Sequence, residues 1–304
     1  MQLEFPPAER CEQVMLSRWM SRTISIIGAG RIGQAFAKRL RILGWHIDAV
    51  ITSSATSSRA AVRAVGAGTP YGAMTRDAIN ADVILLSTPD GALAPVAREL
   101  ADFGGTKWRG KIVLHTSGAL DHRVLAPLAR RGASTASMHP MQTFSGRTTP
   151  NLKNIIFSIE GAPAASLVAQ KIARSLGGIP VLIQSKHKPA YHAAGTTVAG
   201  HALGLVESAT QSLVNIGFTR RRAHQALLPL IRQMLDNYER FGPQAAWTGP
   251  LSRGDYATIA KHVKALKKFP KEFGDAYAAL ALLSSRVLSR SPAGNKSSLK
   301  AALG

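Results

Sequence analysis

Residues 23–33 restrict the fold of this chain more than any other stretch. Thr23 to Ile27 is a β-branched apolar run, and Gly28-Ala29-Gly30-Arg31-Ile32-Gly33 follows it directly. A short apolar run that stops at glycine reads as a buried parallel strand. Beyond it, Ile32, Ala35, Phe36, Leu40 and Leu43 recur with a helical period, and Gly44 ends the pattern. G-x-G-x-x-G between a strand and a helix is the arrangement that brings backbone against a pyrophosphate. Gly28 permits the tight turn, Gly30 lets the chain approach the phosphates, and Gly33 lets the helix lie close to the strand. The helix N-terminus then offers free N–H groups and the positive end of its dipole. A glycine-rich turn with no ligand is the plainer alternative.

The pattern continues as alternating elements. Further strands are expected at 47–51, 83–86, 111–115, 134–138, 155–159 and 180–183. Helices are expected at 59–65, 92–100, 123–131 and 164–176. This alternation predicts a mostly parallel sheet covered on both faces. After Gln184 only helix-like segments follow, at 190–216, 220–241, 255–268 and 271–288. The fold class is therefore α/β, an N-terminal Rossmann-type parallel sheet with a C-terminal all-helical domain. Residues 1–20 read as a disordered extension with Met20 as an alternative start. Residues 21–184 form the nucleotide-binding domain, 185–290 a helical domain for substrate binding and dimerisation, and 291–304 a disordered basic tail.

With 45% hydrophobic residues among 304, the chain can bury a sizeable core. Its single cysteine, Cys11, excludes a disulfide framework and a cysteine-rich metal site, and no metal is expected. No apolar run approaches the ~20 residues of a membrane span, and the N-terminus does not read as a secretion signal. A cytoplasmic protein with no membrane partner is expected. The net charge of +21 would attract polyanions. Its densest clusters are Arg220-Arg221-Arg222 and Lys261, Lys264, Lys267, Lys268 and Lys271, the latter read as one solvated helix face. Without an aromatic stacking platform, no specific nucleic-acid partner is expected.

The end of the second strand discriminates between the two nicotinamide dinucleotides. Asp48 falls inside the apolar run, so it does not sit at the strand tip where an acid would meet the ribose 2′-hydroxyl. The tip reads Thr52-Ser53-Ser54, with Arg59 behind it. Hydroxyls and a cation suit a 2′-phosphate, which favours NADP(H) over NAD. Ser87, Thr88 and Pro89 close the next strand and would lie along the nicotinamide ribose, with Thr116 beyond them. Asp90 reads as a helix N-cap. Ser117, His139 and Gln142 sit in loops at the carboxyl ends of later strands, where open α/β sheets bind ligands. His115 and His139 could equally be hydrogen-bonded structural histidines.

Lys188, His192 and Thr196 are spaced four apart on one helix face, with Tyr191 beside them. A proton donor there is what hydride transfer to a carbonyl or imine requires, because charge grows on oxygen or nitrogen as hydride reaches carbon. A solvated Lys188 and a packing His192 are the plainer reading.

Together, the glycine motif, His115-Thr116-Ser117-Gly118-Ala119-Leu120, Ser137-Met138-His139-Pro140-Met141-Gln142-Thr143-Phe144, and Thr248-Gly249-Pro250 with Arg253-Gly254-Asp255 carry a resemblance. The chain resembles bacterial Rossmann-like proteins with a C-terminal helical domain of unknown function, described as NADP oxidoreductases. These are similar to pyrroline-5-carboxylate reductases, 3-hydroxyacid dehydrogenases and ketopantoate reductase-like proteins. The resemblance covers about residues 22–290. It implies NADP at the positions named, a cleft between the domains, and a homodimer. Two positions depart from it: Ser53 stands where an arginine often follows the second strand, and Gly200 where an asparagine often follows the tyrosine. The reading is an NADPH-dependent reductase of a small, anionic carbonyl or imine substrate such as a 2-oxo acid (ketopantoate is one). Its rival is a non-catalytic NADP-binding regulatory module.

Overall fold

A computed structural model describes residues 23–104, 108–146, 148–289 and 296–304. The expected extension at 1–20, with Cys11, lies outside the described residues. The chain divides into two compact units, one running up to Thr197 and one from Val198.

The first unit holds strands β1 (Thr23–Ile27), β2 (His46–Ile51), β3 (Thr69–Tyr71), β4 (Val83–Leu86), β5 (Ile112–His115), β6 (Ser134–Pro140), β7 (Ile156–Gly161) and β8 (Ile179–Leu182). They form one sheet in the order β3-β2-β1-β4-β5-β6-β7-β8. Every neighbouring pair is parallel except β6 with β7. The chain order reverses between β1 and β4, which opens a crevice at their carboxyl ends. Helices α1 (Arg31–Ile42), α2 (Ala55–Val65), α3 (Asp90–Gly104), α4 (Ala126–Arg130), α5 (Pro163–Ser175) and α6 (Lys188–Thr196) complete the unit.

Strands buried on both sides need apolar residues on both, and the runs Ile24–Ile27 and Val83–Leu86 supply them. One core gathers Phe36, Leu40, Val50, Phe157 and Ile172. The other gathers Leu86, Leu93, Trp108, Val113 and Leu125. The far half of the sheet departs from this rule. Thr135, Ser137, Ser158 and Glu160, at alternate positions of the antiparallel pair, are polar and buried.

The second unit is helical among its described residues: it takes up a π-helical stretch (Thr197–His201) from that stretch's second residue, then α7 (Ala202–Asn215), α8 (Arg220–Ala246), α9 (Tyr256–Leu266), α10 (Lys271–Leu288) and α11 (Lys296–Leu303). Asp255 caps α9 by accepting from Thr258 N. Among the described residues, no helix is long and apolar enough to cross a membrane.

Several expectations need correction. The division falls after Thr197, not near 184, and α6 is bonded to the sheet unit through Lys188 and Tyr191. The tail expected to be disordered from 291 forms a helix at 296–303, held by the buried Leu299. The lysines at 261–271 do not share one helix, since α9 ends at Leu266 and α10 starts at Lys271. The strand expected to end at Met138 continues to Pro140, so His139 belongs to a strand and not a loop.

Candidate active site

Gly28 follows β1 with φ +79°, a left-handed conformation that glycine adopts without strain. Its N–H donates to Ile51 O of β2 at 2.9 Å. A side chain there would place its Cβ 2.5 Å from Thr88 Cγ2 and 2.7 Å from Thr88 N. At Gly33 a Cβ would lie 2.4 Å from Ser87 Oγ and 3.1 Å from Ile26 Cγ2, so α1 is pressed onto the strands by the missing side chain. At Gly30 the nearest atom would be 3.9 Å away, which leaves the turn open on that side. Gly30 is the N-cap of α1, no side chain caps its first turn, and no acidic residue lies there. A turn with open backbone and uncapped N–H groups suits an anion. Beside it, the buried Thr88 Oγ1 has no hydrogen-bond partner. The residues present therefore fit a bound dinucleotide phosphate.

The other residues expected at this site divide into two kinds. Ser87 Oγ donates to Gly28 O at 2.8 Å and is spent in holding the turn. Thr52 Oγ1 donates to Ser54 O, and Ser54 Oγ caps α2 by accepting from Ser57 N at 3.2 Å. Ala29 is buried and Ile32 packs on the core, so both serve the scaffold. Ser53 and Arg59 are exposed, Arg59 in the second turn of α2. Arg31 lies along Gly146, whose Cβ would meet its Cγ at 3.1 Å. Pro89 precedes α3, and Asp90 lies in that helix's first turn. Asp48 is interior to β2, as the apolar pattern implies.

A second cluster forms at the carboxyl ends of β5 and β6. Lys188 is fully buried, which overturns the reading of a solvated lysine. Its Nζ donates to Ser117 O at 3.0 Å and to Ser137 Oγ at 2.5 Å. Ser137 Oγ also donates to Ser117 O, at 3.2 Å. Burial pushes Lys188 down to about 8, while the carboxylates of Glu160, Asp121 and Asp90 pull it back up. His115 Nε2 donates to Asp121 O at 3.2 Å, and its Nδ1 accepts from Ser117 N at 3.2 Å. Those two bonds fix one neutral tautomer, and burial, helped by the Lys188 charge, holds the group down to about 3. Thr116 N donates to Leu86 O at 3.1 Å and its side chain is buried.

Above Gly118 two imidazoles converge. A Cβ at Gly118 would lie 2.4 Å from His192 Cδ2 and 2.8 Å from His139 Nε2. Their rings meet edge-on at 5.7 Å. The Tyr191 hydroxyl stands 3.2 Å from His139 Nδ1. Burial, with the Lys188 and His192 charges, lowers His139 to about 4, and burial raises Tyr191. The structure thus brings together Lys188, Tyr191, His192, Ser117 and His139. It does not bring in Gln142, whose Oε1 accepts from Thr143 N of its own loop at 2.8 Å. Sequence reasoning missed Ser137, Glu160 and Gly118 as site residues. For Ser137 and Glu160 the signal was present: polar residues at alternate positions in strands that should be apolar on both faces. No group of three His, Cys, Asp or Glu among the described residues is placed to hold a metal.

Residues 11–140 match the model of a Rossmann-like domain, and residues 155–283 match that of a domain of unknown function, DUF2520. The chain thus carries one stretch similar to a Rossmann-like domain and a later one similar to DUF2520. The Lys188–Ser137 and Lys188–Ser117 bonds therefore link the DUF2520 segment to the Rossmann-like segment. No curated protein sequence matches the chain. Among solved structures, one similar to it is a Bacteroides fragilis protein assigned as an NADP oxidoreductase (TM-score 0.70, 23% identity, 85% of this chain and 96% of that one). Another is a pyrroline-5-carboxylate reductase from Coxiella burnetii (TM-score 0.56, 15% identity, 88% and 98%). A third is a reductive aminase from Aspergillus terreus, in complex with NADPH and ethyl-5-oxohexanoate (TM-score 0.62, 16% identity, 87% and 92%). At these identities the likeness is one of fold.

Proposed function

We propose that the protein is an NADPH-dependent oxidoreductase that reduces a small, anionic carbonyl or imine compound. The observation that carries this reading is the meeting of two features on one sheet edge. One is the uncapped glycine turn with the orphaned Thr88 hydroxyl, and the other is a buried lysine grouped with a tyrosine and two histidines. The similar proteins named as NADP oxidoreductase, pyrroline-5-carboxylate reductase and NADPH-bound reductive aminase support the same class.

In this proposal Gly28, Gly30 and the first turn of α1 hold the diphosphate. Thr88 and Thr116 lie toward the nicotinamide ribose, and the exposed Ser53 and Arg59 face the 2′-phosphate. When bound, the nicotinamide supplies a hydride to substrate carbon. Lys188, cationic at neutral pH, stabilises the charge that grows on substrate oxygen or nitrogen. Tyr191, hydrogen-bonded to a neutral His139, is placed to pass a proton to that atom, with His192 as the alternative donor. Ser117 and His139 contact the substrate, and the positive net charge favours an anionic one such as a 2-oxo acid. A cytoplasmic setting suits such chemistry.

We also propose a homodimer formed through the helical unit. α8, which kinks at Gly242, buries one residue, Ala223, and α7 buries one, Thr210. Leu203 (68% exposed), Leu230 (66%), Phe241 (60%) and Val287 (62%) face solvent in the single chain. Apolar surface on that scale marks a protein interface, and two copies with the same patch satisfy each other.

The test of the reductase reading is NADPH oxidation by purified protein against small 2-oxo acids and cyclic imines. Turnover on any of them supports it. Tight NADPH binding with no turnover across the panel would instead favour a non-catalytic NADP-binding module.

A further inference from the structure

Glu160 is a buried carboxylate that the proposed chemistry does not use. It lies on β7, 5% exposed, in register with Ser137 of β6. Its Oε1 accepts from Ser185 Oγ at 2.6 Å and also bonds His122 Nδ1, and its Oε2 accepts from His122 N at 2.9 Å. Ser185 opens the short turn (Ser185–His187) that leads directly into α6 and Lys188. His122 begins the 3-10 turn (His122–Leu125) after β5, capped by Asp121. Asp121 O receives His115 Nε2, His115 Nδ1 receives Ser117 N, and Ser117 O receives Lys188 Nζ. From Lys188 the path runs to Ser137, back beside Glu160. Hydrogen bonds, with the chain step from Asp121 to His122, thus lead from the ammonium to the Glu160 carboxylate, and the strand register sets Ser137 opposite it.

We propose that Glu160 is a positioning residue for Lys188: its carboxylate ties the Ser185 turn ahead of α6 to the His122 turn after β5, and so fixes the ammonium against Ser117 O and Ser137 Oγ. A buried charge left half-satisfied is costly, so a network like this holds one arrangement of its members. Glu160 also supplies an opposite charge that keeps the buried ammonium protonated, assisted by Asp121 before the His122 turn and Asp90 in α3. Other titratable groups in the same cluster are His115 on β5, His139 on β6, and Tyr191 and His192 on α6 itself. The link from this clasp to turnover rests on the reductase reading. The placement of Lys188 does not.

The experiment uses the full chain labelled with ¹³Cε-lysine, with the Lys188 signal identified by its loss in Lys188→Met. In the wild type this signal should titrate near 8, below the ordinary lysine value. Glu160→Gln removes the charge and should move the midpoint down by about one unit, with Glu160→Asp restoring part of it. Ser185→Ala keeps the charge but frees the turn. It should broaden or split the Lys188 signal while NADPH affinity stays within about twofold, on the ordinary scale of additivity for separate sites. If Glu160→Gln fails to fold, Ser185→Ala decides alone. A Lys188 midpoint and line shape unchanged in the folded variants would overturn the proposal. Failure of the wild type to bind NADPH would count against the reductase reading alone, because the lysine titration is read without cofactor.

Discussion

At the level of single residues, the decisive finding is where Lys188 spends its charge. A lysine at the start of a helix after a loop is ordinarily solvated, but here the ammonium is buried and donates to a carbonyl and a hydroxyl. Lys188→Ala should therefore lower turnover by ~100-fold or more while leaving NADPH affinity nearly intact, since the glycine turn proposed for the phosphates is built from other residues. Steady-state kinetics beside a binding titration checks this, and near-wild-type turnover would remove Lys188 from the mechanism. His115 and His139 make a separate prediction about stability. The folded protein holds them neutral down to about 3 and about 4, whereas the unfolded chain takes up protons near their ordinary value of 6.5. Between those limits the unfolded state binds more protons, so stability falls as pH falls, by at most about 1.4 kcal/mol per pH unit for each histidine. Thermal melts at pH 7, 5.5 and 4.5 should show a decline that flattens by one histidine's share in His115→Gln.

At the level of elements, the β1 turn and α1 act as one device. The positive φ of Gly28 and its closeness to Thr88 leave no room for a side chain, while Gly30 leaves room for a ligand. Gly28→Ala should cost at least tenfold in NADPH affinity, because the residue must either strain the turn or push Thr88 away. Isothermal titration measures it, with circular dichroism to establish that the sheet persists. An unchanged dissociation constant would detach the dinucleotide from this turn. The same element was the most readable part of the sequence, because its strand, turn and helix depend on local spacing. The antiparallel β7 was not readable in that way. Its apolar run predicts a strand but not its direction, and that direction is what sets Glu160 opposite Ser137.

For the whole molecule, the two units differ in how well they bury their apolar residues. Among the described residues, the sheet unit has two full cores, and the helical unit has one small cluster around Ile259, Ala281 and Leu299. Leu230, Met234 and Phe241 are exposed on α8 at helical spacing. A double change, Leu230→Glu with Met234→Glu, should convert the protein to a monomer of 32.3 kDa. Light scattering behind gel filtration reads the mass. A wild type that is already monomeric at micromolar concentration would sink the dimer.

Sequence alone determined the alternating strands and helices except the short β3, the glycine turn, the interior place of Asp48, and the helical character of the second half. Each of these depends on residues close together in the chain, through period, glycine geometry and capping. Only the tertiary structure decided that Lys188 is buried, that Gln142 turns away, that His139 lies in a strand, and that Glu160 joins two distant turns. Those facts depend on which strands become neighbours and on what each side chain then meets. Burial and hydrogen-bond partnership across 25 to 71 residues of chain leave no periodic mark to read.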